Sequence, residues 1–108
     1  MAIEQTYNWL GYSGKVYTYY VHEFPLKVTF KSEPGNYIFA RQTFRGFIPI
    51  YMGHTKDLSE RFSNHPKIMC IRNNGATHLH AHPNNGGEEV ILGEESDLID
   101  YKHPICNK

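Results

Sequence analysis

Residues 35–65 read Gly35-Asn36-Tyr37-Ile38-Phe39-Ala40, then Pro49-Ile50-Tyr51-Met52-Gly53-His54-Thr55, then Leu58-Ser59-Glu60-Arg61-Phe62, and the chain is organised around them. Two short β-rich runs, Ile38-Phe39 and Ile48 to Tyr51, are separated by Gly46 and polar residues, which reads as a hairpin. With the turn centred on Phe44, Tyr37 falls opposite Tyr51, and opposed residues of an antiparallel pair share a face. Pro49 lacks an N–H, so it belongs at the start of the second strand or on a sheet edge. Gly53 is expected to break that strand and a helix to begin between Thr55 and Asp57. Asp57 and Glu60 have capping-box spacing. In that helix Leu58 and Phe62 form a buried stripe, Arg61 and His65 share another face, and Pro66 stops it.

Working back toward the N-terminus, Val16 to His22 alternates like a strand, with Gly11 and Gly14 marking turns before it. A second short run, Lys27 to Phe30, lies between Pro25 and Pro34-Gly35. The eight tyrosines are expected as half-buried sheet positions more than as stacking platforms. Residues 1–34 are thus a β extension that serves as an extra sheet edge, a dimer surface or a substrate contact.

Toward the C-terminus, residues 66–76 read as a short helix or irregular turn ending at Asn74-Gly75. Thr77 to His82 alternates cleanly, with His78, His80 and His82 on one face and Leu79 and Ala81 on the other. Three such histidines spread over roughly 13 Å, too wide for one zinc ion with bonds near 2 Å, so a solvated strand face is the expectation. Glu88 to Tyr101 reads as the last helix, with acids in its first turn. At 100° per residue, Ile91, Leu92, Leu98 and Ile99 define an apolar stripe with Glu95 at its centre and Glu94 to one side. A carboxylate there needs an ion pair, with Arg61 as one choice, or a metal.

Composition sets the bounds. A chain of 108 residues with 40% apolar content is expected to be one domain. No apolar run is long enough for a membrane, and no secretory signal is visible. Cys70 and Cys106 show no metal-ligand spacing and are expected as reduced thiols in a cytoplasmic protein. The zero net charge argues against tight nonspecific nucleic-acid binding. Its distribution is uneven: six Lys and Arg fall within residues 41–72, and six acids with no Lys or Arg within 88–100.

Gly35-Asn36-Tyr37, then Tyr51-Met52-Gly53, with Arg61 ten residues after Tyr51, resembles the GIY-YIG nuclease superfamily. Members also carry a Glu within Glu-x-x-Leu-Ile and, twelve residues on, an Asn within Pro-x-aromatic-Asn. Glu95-Ser96-Asp97-Leu98-Ile99 and Pro104-Ile105-Cys106-Asn107 match that spacing, with Cys106 in place of the aromatic residue, Asn36 in place of a β-branched one and Met52 in place of Ile. The resemblance covers residues 35–107. It implies a small, mostly antiparallel sheet flanked by helices in β-β-α-β-α order, here with the N-terminal β extension.

The resemblance also implies a one-metal endonuclease that hydrolyses phosphodiester bonds. Glu95 would hold a divalent ion, Mg²⁺ or Mn²⁺, and Arg61 would clamp phosphate oxygens. Tyr51 would activate water, with Tyr37 or His54 relaying its proton because a phenol near pKa 10 is a poor base. Tyr37 would order the site, Asn107 would pin the last segment, and His65 and His54 would contact substrate. The implied partner is nucleic acid, DNA first, with a homodimer or a separate recognition partner supplying specificity. A binding module that keeps the fold without cleaving is the rival reading.

Overall fold

A computed structural model describes residues 4–60 and 62–108, with Ser63 described for its backbone alone. Five strands form one sheet: β1 (Thr6–Leu10), β2 (Val16–Glu23), β3 (Gly35–Thr43), β4 (Gly46–Thr55) and β5 (His78–Pro83). Their spatial order is β1-β2-β5-β3-β4 and each pairing is antiparallel. Two α-helices, α1 (Ile68–Asn73) and α2 (Glu88–Lys102), pack against this sheet, and short 3₁₀ turns occur at Phe62–Asn64 and Ile105–Asn107. This is a small α/β fold. The N-terminal hairpin extends the sheet beyond β5, while from residue 35 onward the elements run β-β-α-β-α.

The β3–β4 hairpin turns through Phe44-Arg45, with Thr43 opposite Gly46. That two-residue turn alone would place Tyr37 and Tyr51 on opposite faces. Ile50 prevents this. Ala40 pairs with Pro49 but Phe39 pairs with Tyr51, so Ile50 is the extra residue of a bulge. A bulge re-aims the side chains that follow it, and here it turns Tyr51 onto the face that carries Tyr37. The expected 37–51 pairing is therefore replaced: Tyr37 lies opposite Gly53, diagonal to Tyr51. Pro49 is accommodated because β4 is an edge strand.

Several expectations need correction. Gly53 does not end the strand, which continues to Thr55. The helix expected from Asp57 is replaced by turns. Asp57 accepts hydrogen bonds from the Ser59 backbone N–H and hydroxyl, a local arrangement that competes with helix. Leu58 and Phe62 are nevertheless buried. The helical element of this region stands later, at α1, and Arg61 lies outside the described residues. Lys27 to Phe30 forms no strand. Cys70 and Cys106 are joined in a disulfide with Cα atoms 5.8 Å apart, because α1 and the last 3₁₀ turn bring together residues 36 positions apart. The two cysteines are therefore oxidised partners and not the reduced thiols expected.

The core divides into two clusters, one per sheet face. Tyr37, Phe39, Ile50, Leu58, Phe62, Ile71 and Leu79 lie on the face covered by α1. Trp9, Tyr19, Ile38, Ala40, Met52 and Leu98 lie on the face covered by α2. The strand histidines belong to the second face, where His82 is half-buried and the other two are closed off from solvent. His78 and His80 are buried, because the β1–β2 hairpin and Phe47 close over them. Trp9 Nε1–H donates to His80 Nδ1 at 2.9 Å, and Phe47 stands 4.5 Å from the His80 ring. Burial lowers the His80 pKa to about 3. No helix among the described residues is long and apolar enough to cross a membrane.

Candidate functional site

The bulge and Gly53 together build one end of the cleft. A Cβ at Gly53 would stand 2.7 Å from the Tyr37 hydroxyl and 2.8 Å from the Tyr51 ring. Glycine is therefore what lets two phenols meet over β4, with ring centroids 6.2 Å apart. Beside them lies a cavity of about 640 Å³ lined by Tyr37, Tyr51, His54, Glu60, Phe62 and His65 among others.

His65 fixes the state of Tyr37. Its Nδ1 accepts the Lys67 backbone N–H at 3.0 Å. Burial, with Lys67 adding to it, lowers the His65 pKa, so the ring is neutral near pH 7 and its one proton sits on Nε2. That Nε2–H donates to the Tyr37 hydroxyl oxygen at 2.6 Å. The phenol's own proton is left to donate to whatever enters the cleft.

His54 is held differently. A carboxylate only accepts, so His54 Nδ1–H donates to Glu95 Oε2 at 2.7 Å. With Nδ1 so engaged, Nε2 is the ring nitrogen left without a protein partner, and His54 lines the cleft with its side chain 41% exposed and that of Glu95 21%. Glu95 lies near enough for its charge to act on both phenols. Burial is the larger cause, and negative charge at Glu95 adds to it, raising Tyr37 and Tyr51 above the ordinary phenol value. Neither tyrosine is a phenolate near pH 7 in this environment. The better-placed proton acceptor is His54.

No protein-family model, curated protein or solved structure matches the chain.

Asn107 reaches β4 from the C-terminal 3₁₀ turn. Its Oδ1 accepts the Met52 N–H and its Nδ2 donates to the Met52 carbonyl, both at 2.8 Å. It fixes the backbone between Tyr51 and Gly53 without itself lining the cleft.

The helix stripe needs a correction. Ile91, Glu94 and Leu98 are the buried positions of α2, while Leu92 is exposed. The helix is rotated by roughly 70° from the orientation expected of its apolar residues, counted at 100° per residue. Glu94, not Glu95, is the buried carboxylate. Its Oε2 accepts from the Tyr19 hydroxyl at 2.6 Å and from His82 Nδ1–H at 2.7 Å. Between the two carboxylates, Asn36 Nδ2 donates to the Ile91 carbonyl at 3.0 Å. Asn36 lies opposite both His54 and His82. One polar row across β4, β3 and β5 thus docks the helix and places Glu95 over the sheet's edge strand. Glu94, His82 and Asn36 were missed as partners. The signal available was the 91-94-98 spacing, as helical as the one chosen.

Among the described residues no group of three or more His, Cys, Asp and Glu side chains could hold a metal ion. A zinc cage needs such a group. A hard divalent ion does not, because it keeps several waters and uses one or two carboxylates with substrate phosphate. Glu95, partly exposed and engaged through one oxygen, fits the second kind.

Proposed function

We propose that this chain is an endonuclease that hydrolyses nucleic-acid phosphodiester bonds with a single divalent ion, Mg²⁺ or Mn²⁺, in the manner of the GIY-YIG nucleases it resembles. One observation carries the reading. His54 lines the cleft with Tyr37 and Tyr51 and joins it to Glu95 of the last helix, 44 positions beyond Tyr51, whose charge acts on both phenols. The β-β-α-β-α order after residue 35 is consistent with it.

Each side chain then has a task. Tyr37, with its oxygen engaged by His65, directs its hydroxyl proton at a phosphate oxygen. Tyr51 stays protonated and orients the attacking water. His54 Nε2 takes that water's proton, and Glu95 stabilises the imidazolium that results. Glu95 would also hold the ion, which supplies positive charge at the phosphate. The resemblance assigns Arg61 to the same phosphate oxygens.

The test is cleavage of plasmid and single-stranded DNA and RNA with Mg²⁺ or Mn²⁺. Glu95→Gln and His54→Ala should each lower the rate about 100-fold or more, the size of effect expected for a lost acid–base group or charge stabiliser. Nucleic acid bound equally by wild type and Glu95→Gln, with neither cutting, would replace the nuclease by a binding module.

A further inference from the structure

The face covered by α1 is closed incompletely. α1 is six residues long and Ile71 is its one buried residue. The remaining cover comes from the segment around Phe24–Phe30 and the turns after β4. Between them lies a cavity of about 690 Å³, within the roughly 300–1,000 Å³ of small-ligand sites. Its walls include Phe24, Phe30, Phe39 and Phe62. Phe24 and Phe39 stack with their planes 11° apart, and Phe30 and Phe62 meet edge to face. Ser59, Glu60 and Arg72 add hydrogen-bonding groups to this aromatic lining.

Phe62 and Glu60 line both this cavity and the cleft that holds the two phenols. The two spaces therefore share a wall. We propose that the cavity receives one unstacked nucleobase of the strand whose phosphate lies in the phenol cleft. The inference rests on the nuclease reading and narrows its substrate to nucleic acid with an unpaired base beside the scissile phosphate. The physical grounds are chemical. A base presents a flat π-face to phenyl rings, and its polar edge needs donors and acceptors such as a serine hydroxyl, a carboxylate and a guanidinium offer together. An aliphatic chain would leave those three groups unused. It also assigns a task to residues 24–30, which lie outside the stretch that resembles the nucleases.

The experiment is an abasic scan. Single-stranded oligonucleotides, each lacking one base, are bound and cleaved by the full chain with Mn²⁺. Omission at one position next to the cut should cost about tenfold in affinity, the scale of a single base–aromatic stack, and other positions should matter much less. Val28→Trp, which fills the cavity from its rim, should bring the ratio of intact to abasic binding close to one. Methyl resonances of Val28 and Ile71 should shift with the intact oligonucleotide and not with the abasic one. A flat scan with cleavage retained overturns the base site and leaves the nuclease. A position-specific loss of binding without cleavage by any variant keeps the base site and sinks the nuclease. Displacement of the base by decanoate at equal concentration would identify an acyl-chain site and overturn the inference.

Discussion

The two faces of the sheet are made by the same strands, yet they are closed in opposite ways. A 15-residue helix seals one face and is keyed to it by a polar row: Glu95 to His54, the Ile91 carbonyl to Asn36, and Glu94 to both His82 and Tyr19. The other face has a six-residue helix, turns and a loop, and it keeps a cleft and an aromatic cavity. The proposed chemistry lies where the two faces meet at the end of β4, the phenols coming from the open face and the His54–Glu95 pair from the rim of the sealed one. Neighbouring glutamates show the difference at the scale of one residue. Both accept from a histidine Nδ1 at 2.7 Å, but Glu94 is buried and Glu95 reaches the edge.

The largest expected effect separates those two glutamates. Glu94→Ala leaves the buried Tyr19 and the half-buried His82 without their acceptor and should destabilise the fold by about 3–4 kcal/mol. Glu95→Ala breaks a partly exposed pair and should cost about 1 kcal/mol or less while abolishing cleavage. Urea unfolding of the two variants reads this directly, and equal midpoints would erase the contrast between the buried glutamate and the one at the rim.

The next effect comes from pH. His80, on the sealed face, has its pKa lowered to about 3 by burial, with His78 and His22 contributing. Above pH 6.5 it is neutral in folded and unfolded chains alike and contributes nothing to pH dependence. As pH falls below 6.5 the unfolded chain takes a proton that the folded one refuses, so stability is lost progressively toward pH 3. The loss should reach about 2 kcal/mol by pH 5. His78, His65 and His22 are shifted downward too and act in the same direction. Unfolding midpoints at pH 7 and pH 5 measure it, and His80→Gln should flatten the slope. A wild-type curve that stays level would mean that the histidine face is open to water.

The smallest effect belongs to the open face. Gly53→Ala sets a methyl group against both phenols and should cost about 1–2 kcal/mol as they move apart. The change in tyrosine fluorescence and in cleavage rate should exceed what that loss alone would give. An unchanged rate would show that the two rings need not meet.

Much of the strand and helix content was legible because it follows from local pattern. Alternation marked β2 and β5, Asn74-Gly75 marked the end of α1, and Glu88 marked the start of α2. What was not legible depends on partners far along the chain. Ile50 carries no sign that it will bulge, yet without that extra residue Tyr51 would face α2. The orientation of α2 was misread because Ile91, Leu92, Leu98 and Ile99 outweigh Glu94 on hydrophobicity alone. One tyrosine and one histidine from other strands, Tyr19 and His82, reverse that balance. The histidine face looked wet for a related reason: nothing local to residues 78–82 reports Trp9, Tyr7 and Phe47 closing over it.

The doubly bonded amide at Met52 has a consequence for the outline of the sheet. A carboxamide has the donor and acceptor of one peptide group, so Asn107 supplies a single rung of a sixth strand and nothing more. That rung is closed to any foreign backbone. A neighbour that tried to lengthen the sheet from this side would first have to prise away a side chain whose adjoining cysteine is stapled to α1.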